Sequence, residues 1–245
     1  MLLIILEFTK IIVTTGYGNS GYISITELID VNGTCTSSLP DYPIKIKAAT
    51  GVYVDGKIVI CGGSSPYSNK CYQLMNDEDA FELIYAMEET RGWAKAIVSQ
   101  GNMLVTGGRD NDTYNKIITS EFVNHQILNN TAPRLNIQMP KPVHRHAILN
   151  INHSTIFLIG GVTASSSYTN KTHFYNHDTK QWKIGPELKI GRSTHTAGIL
   201  IDHVTLNHHV AVVGGFNLVN GGKLNSVELL LHGKNVWSQG TFESF

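Results

Sequence analysis

Short apolar runs that end in paired glycines recur along the chain: Lys57-Ile-Val-Ile-Cys-Gly62-Gly63, Asn102-Met-Leu-Val-Thr-Gly107-Gly108, Ile156-Phe-Leu-Ile-Gly160-Gly161 and Val210-Ala-Val-Val-Gly214-Gly215. A degenerate fifth, Ile11-Ile-Val-Thr-Thr15-Gly16, comes first, with Thr15 in place of the leading glycine. The second glycines fall at 16, 63, 108, 161 and 215, so a unit of roughly 49 residues repeats five times and fills the chain. Runs this short, bounded by turn residues, predict strands. Ahead of each lies another apolar strand and a turn, as in residues 49–54 before Asp55-Gly56, and Asp-Gly between two apolar runs signals a hairpin. After each pair comes a polar loop, then an alternating strand such as Thr172-His-Phe-Tyr175 or Ser226-Val-Glu-Leu-Leu-Leu231. A turn and a further strand opening on Trp182 or Trp237 close the unit, with Phe81 and Cys35 at the tryptophan position earlier in the chain. Each unit therefore reads as four strands, A to D, with the glycines closing B. Residues 80–87 have apolar positions at both helical and alternate spacing. The repeat register makes them strand D, with Phe81, Leu83, Tyr85 and Met87 on one face, and no helix is predicted elsewhere.

Four strands with one apolar face cannot bury that face alone, so each sheet must stack on its neighbour, and radial closure leaves only short, protected edges. The glycine pairs Gly62-Gly63, Gly107-Gly108, Gly160-Gly161 and Gly214-Gly215 suit a crowded inner rim where backbones approach closely. These residues resemble the kelch repeat, whose pattern runs Arg-x-x-His, an apolar strand, Gly-Gly, a Tyr-Asp-like strand and then Trp. Arg192-Ser-Thr-His195, residues 210–215, Val227-Glu228 and Trp237 match it well, as do His146, residues 156–161, Phe174-Tyr175, Asp178 and Trp182. In the first three units Ala49 and Ala94 replace the histidine, while Cys35, Phe81 and Ile127 or Leu128 replace the tryptophan. The resemblance covers nearly the whole chain and implies an all-β fold, a single kelch-type β-propeller of four-stranded blades over residues 1–245. Kelch propellers commonly have six or seven blades. Five visible units imply a five-bladed ring or an incomplete six-bladed one, and Met1 stands almost at a strand B.

Composition narrows the classes. Nineteen Lys and Arg balance nineteen Asp and Glu, which removes the basic field a nucleic-acid or anionic-membrane partner calls for. No apolar run approaches the ~18 residues of a membrane-spanning helix. Met1-Leu-Leu-Ile-Ile-Leu6 reads either as a first strand or as a truncated signal peptide, too short for a full one and interrupted by Glu7. Three cysteines, Cys35, Cys61 and Cys71, lack CxxC spacing. Cys61 ends a strand B and Cys71 begins the next strand C, so antiparallel pairing brings them within disulfide range. Cys35 reads as a small core residue in the tryptophan position. Five Asn-x-Ser/Thr sequons, at Asn32, Asn111, Asn129, Asn152 and Asn170, tilt the balance toward an extracellular, glycosylated protein over a cytoplasmic one.

Eleven histidines raise the question of a metal. His208 and His209 are adjacent in a strand and point to opposite faces, and His146 and His195 occupy the repeat's histidine position, where a hydrogen bond between blades is the expected role. No metal site or cofactor is predicted. No Ser-His-Asp order, paired carboxylate motif or phosphate-binding glycine loop stands out either, so the expected class is a non-catalytic protein- or peptide-binding scaffold. Propeller oxidases and sugar epimerases form the enzymatic alternative. In kelch propellers the B–C and D–A loops share one rim. Here they carry the candidate partner-binding residues Tyr17, Tyr67, Trp93, Arg109, His144, Arg145, Tyr168, Phe216 and Asn217, together with Arg91, Asp110 and Arg192; aromatics and arginine are enriched at binding hot spots. Intracellular kelch adaptors recruit substrates to ubiquitin ligases or bind actin, usually beside a BTB domain that this chain does not show. The competing setting is a secreted recognition module.

Overall fold

In a computed structural model, the structure describes residues 2–6, 10–19, 21–30, 32–36, 39–75, 80–110, 117–123, 136–163 and 165–241. They form two compact units, Met1–Met139 and Pro140–Phe245. The first unit holds three four-stranded antiparallel sheets in sequential order: β1 (Leu2–Leu6), β2 (Lys10–Gly18), β3 (Gly21–Asp30) and β4 (Cys35–Thr36); then β5 (Thr50–Val54), β6 (Lys57–Cys61), β7 (Lys70–Met75) and β8 (Glu82–Ala86); then β9 (Lys95–Ser99), β10 (Asn102–Thr106), β11 (Thr119–Val123) and β12 (Asn136–Gln138). In the second unit a two-residue ribbon joins β13 (Val143–His144) to β16 (Val162–Thr163). It accompanies a fourth sheet of β14 (Ala147–Asn152), β15 (Thr155–Ile159), β17 (Thr172–Asn176) and β18 (Gln181–Ile184). The fifth sheet comprises β19 (Thr196–Ile201), β20 (His208–Val213), β23 (Ser226–Leu230) and β24 (Ser238–Thr241), with a ribbon of β21 (Phe216–Asn217) and β22 (Gly222–Lys223) in its loop. Among the described residues the only helical turn is the 3-10 turn Leu218–Asn220. Five sequential four-stranded meanders are consistent with a kelch-like propeller, and Leu2–Leu6 supplies a strand A ahead of the first glycine marker.

The packing explains why the strand ending in glycines carries an unbroken apolar run. In the first unit β1 adjoins β5 and β5 adjoins β9, so β6 is covered on both faces and does not alternate. Ile58 and Ile60 point into one core with Ile4, Ile12, Ile46, Tyr72 and Phe81. Val59 and Cys61 point into the other with Ile84, Met87, Met103 and Val105. Tyr42 seals the first core, edge-on to Tyr72 and Phe81 at 5.4 and 5.3 Å, and burial pushes its phenol well above the usual range. In the second unit Trp237, 1% exposed, stacks at 6.2 Å on Phe157 of the fourth sheet and donates its indole N–H to Pro186 O.

Two expectations change. Residues 80–87 do end in a strand, but a register shift between Cys71 and Tyr72 opposite β8 turns the chain over. Phe81 therefore faces the Tyr42 core, Ile84 and Met87 face the Cys61 core, and Leu83 is exposed. Cys35 is an exposed free thiol rather than a core residue, because the two-residue β4 is too short to carry it into the interior. Trp182 is only half-buried, packing on Tyr175 at 5.0 Å. Cys61 and Cys71 stand directly opposite in β6 and β7 and are joined by a disulfide; both are fully buried.

Candidate functional site

At the glycine end of three of the sheets one backbone device repeats. The second glycine donates its N–H to a carbonyl in the segment entering the next sheet: Gly16 to Ile46 O at 2.8 Å, Gly63 to Arg91 O at 2.7 Å and Gly161 to Arg192 O at 2.8 Å. Two residues beyond each acceptor, and at the matching residue after Val143, the backbone turns left-handed, at Ala48 (φ 56), Trp93 (φ 55), Arg145 (φ 56) and Thr194 (φ 53). Successive segments are tied there, Trp93 N to Ala48 O and Thr194 N to Arg145 O. A bulky residue at positive φ carries strain, and the sequence places Trp93 and Arg145 at this strained point. His195 Nε2 lies 3.1 Å from Ile159 O, linking the entry to the fifth sheet with β15 of the fourth.

The acceptor position also carries a buried ion pair. Arg192 donates to Gly214 O (2.7 Å), Ser226 O (3.3 Å) and Ser226 Oγ (3.0 Å), and its Nη2 meets Glu228 Oε1 at 2.6 Å with both side chains fully buried. Arg91 repeats the pattern in the third sheet, donating to Gly107 O, Thr119 O and Thr119 Oγ1, with Glu121 at 3.5 Å and half-exposed Glu89 at 3.3 Å. Burial pulls the Arg91 guanidinium below its ordinary range against the opposing pull of Glu121 and Glu89. Arg91 and Arg192 thus sit inside the sheets, away from the loop surface where the sequence placed them.

The fourth sheet lacks this pair. Val143 occupies the arginine position and His173, opposite Leu158, the carboxylate position. A cavity of about 20 Å³ opens there, lined also by Leu158, Gly160 and Lys171. Partial burial and then Lys141 and Lys171 hold the His173 imidazole below its ordinary range. The unfolded chain therefore takes up this proton first, so the residue's stabilising effect is complete above the usual imidazole pKa and fades as pH falls toward the lowered folded value. Comparison of urea midpoints at about pH 7 and about pH 5 is expected to show a shallower acid loss for His173→Gln than for the parent.

On the loop surface of the first unit, four of the sequence candidates come together. The Trp93 indole faces the Arg109 guanidinium at 4.8 Å and Tyr67 edge-on at 6.0 Å, and Arg109 Nε donates to the Tyr67 hydroxyl at 3.0 Å. Lys47 lies 6.0 Å from the Trp93 ring, 5.0 Å from Tyr22 and 5.8 Å from Tyr17, whose ring is 5.3 Å from Tyr22 and 70% exposed. Hydrogen bonds from Ser65 and Lys47 hold the Tyr22 phenol below its usual range. Alternating cations and aromatic rings thus form one continuous patch. Lys47 and Tyr22 are absent from the sequence candidates. The signal for Lys47 was its place one residue after the acceptor Ile46, in the D–A segment.

The second unit brings together less. Tyr168 and Phe216 rings lie 6.0 Å apart and Arg145 is half-buried. His144 is 4% exposed and Asn217 5%, so neither is a surface contact as expected. Asn217 braces the loop instead, donating to Gly191 O and accepting from Val219 N at the head of the 3-10 turn. Among the described residues no group of three or more His, Cys, Asp or Glu is placed to hold a metal ion, and no helix is long and apolar enough to cross a membrane.

Over 135 residues the chain is 28% identical to Kelch domain-containing protein 10 of Rattus norvegicus, a match covering 51% of this chain and 31% of that protein. The Mus musculus and Homo sapiens proteins of the same name match at 28% and 29%, each over 29% of its length. No protein-family model matches the chain. The match thus spans under a third of those relatives. Together with the all-β meanders, this similarity suggests a kelch-repeat protein.

Proposed function

We propose that the five sheets are blades of one kelch-type propeller and that the protein is a non-catalytic scaffold binding a protein or peptide through its B–C and D–A loops. The observation that carries this reading is the cation–aromatic patch of Tyr17, Tyr22, Lys47, Tyr67, Trp93 and Arg109. Tyr17 is exposed and the other rings and cations are partly exposed, and aromatics with arginine are the residue types that anchor binding when desolvated. Display selection of peptides on the intact chain tests it. Selected peptides are expected to lose about tenfold or more in affinity against Arg109→Ala and Trp93→Ala variants that keep the parental circular dichroism and melting behaviour. Undiminished binding to both variants would place the interaction elsewhere and end this reading.

A further inference from the structure

The described sequons differ in what the fold does with them. Asn170 is half-buried, and its amide nitrogen donates to Glu187 Oε2 at 3.1 Å and to Leu188 O at 3.2 Å, so both of its hydrogens are engaged. The Asn32 turn is organised by Asp30, whose Oδ1 accepts from Asn32 N and Thr34 N at 2.9 Å each. Asn152 is exposed at the β14–β15 turn, where its Oδ1 accepts from Ser154 N at 3.0 Å and Ser154 Oγ at 3.4 Å. The hydroxyl of this sequon is therefore held against its own amide, and Nδ2 is left without a protein partner among the described residues. Asn111 and Asn129 lie outside the described residues. A second, independent observation concerns the folding compartment. The Cys61–Cys71 disulfide is fully buried between two sheets, and structural disulfides of this kind form and persist where the surroundings are oxidising.

We propose that the protein matures in an oxidising secretory compartment and carries an N-linked glycan on Asn152, at the hairpin end of the fourth sheet. The donor is a polyisoprenyl-pyrophosphate-linked oligosaccharide. Asn152 Nδ2 bonds to the anomeric carbon as the carbon–oxygen bond to pyrophosphate breaks; the pyrophosphate leaves with the electron pair and the amide proton passes to a base of the transferase. The substituted nitrogen keeps one hydrogen, so an Asn170 glycan would remove one of two native hydrogen bonds, whereas an Asn152 glycan removes none. The β14–β15 turn is also at the opposite end of the sheet from Gly160 and Gly161, which leaves the loops at the glycine end bare.

The test uses the endogenous protein, alkylated before lysis, digested without reduction and treated with peptide N-glycosidase in heavy-oxygen water. The Asn152 peptide is expected to be recovered as heavy-labelled aspartate, the Asn170 peptide unlabelled, and Cys61 and Cys71 as one disulfide-linked peptide pair. An unlabelled Asn152, a label on Asn170 in its place, or alkylated Cys61 and Cys71 would each overturn the proposal.

Discussion

Glu228→Ala is expected to lower stability by about 3–5 kcal/mol, the range found when one partner of a buried ion pair is removed. Glu228 accepts three hydrogen bonds, from Arg192 Nη2 at 2.6 Å, Lys189 N at 2.6 Å and Ile190 N at 3.2 Å. Alanine leaves a guanidinium and two backbone N–H groups facing a void. The remaining acceptors, Ile190 O, Gly214 O, Ser226 O and Ser226 Oγ, solvate the cation without neutralising it. In the third sheet the same change should cost less. Glu121→Ala leaves Arg91 paired with Glu89, which is 44% exposed and already 3.3 Å away. A double replacement, Arg192→Met with Glu228→Leu, should recover much of the loss because the desolvated charges disappear together. Denaturant midpoints of the four proteins decide the matter. Equal losses for Glu228→Ala and Glu121→Ala, or a double variant no more stable than Glu228→Ala, would contradict this account.

That contrast also shows what the chain made legible. Glycine pairs and runs of period two located all five meanders, because a strand flanked by sheets on both sides must be apolar throughout and must end where backbones crowd. The same register set Cys61 opposite Cys71 and left open whether they are bridged. The ion pairs did not follow from it, since Arg192 and Glu228 lie 36 residues apart across a loop whose length differs from that between Arg91 and Glu121. A signal was present nonetheless: Glu121 and Glu228 stand at the same offset from Gly107 and Gly214, each an acid followed directly by two apolar residues in strand C. Phe81 and Leu83 were misread because a bulge reverses facing without altering composition. Cys35 was misplaced because repeat position was taken for burial, and β4 has only two residues. On the loop surface the sequence supplied Tyr17, Tyr67, Trp93 and Arg109. Tyr22 escaped it although it stands directly opposite Tyr17 in the β2–β3 hairpin, and Lys47 because the repeat position beside Ile46 was not followed onto the loop surface.

Gly161→Val should remove most folded protein from the soluble fraction. Gly161 has φ +106, and a Cβ there would lie 2.8 Å from His144 O, 2.9 Å from His146 Cβ and 2.5 Å from Val143 Cγ2. Two penalties coincide. A side chain at positive φ costs about 1–2 kcal/mol, and overpacking against neighbours that cannot retreat adds about 1–3 kcal/mol. The backbone carbonyl of His144 cannot retreat easily, because its residue pairs with Val162 in the β13–β16 ribbon. Any shift of Gly161 itself stretches its N–H bond to Arg192 O, the link into the fifth sheet. Gly101 separates the two penalties: its φ is +73, yet nothing lies within 4 Å of a Cβ built there. Gly101→Ala should therefore lose only the conformational part, about 1 kcal/mol, while Gly161→Ala already meets both. Thermal melts of Gly101→Ala and Gly161→Ala, with the soluble yield of Gly161→Val, are the measurements. A Gly161→Ala melting point equal to that of Gly101→Ala would mean that the glycine end of the fourth sheet is not crowded, and the close approach that ties it to the entry of the fifth would have to be abandoned.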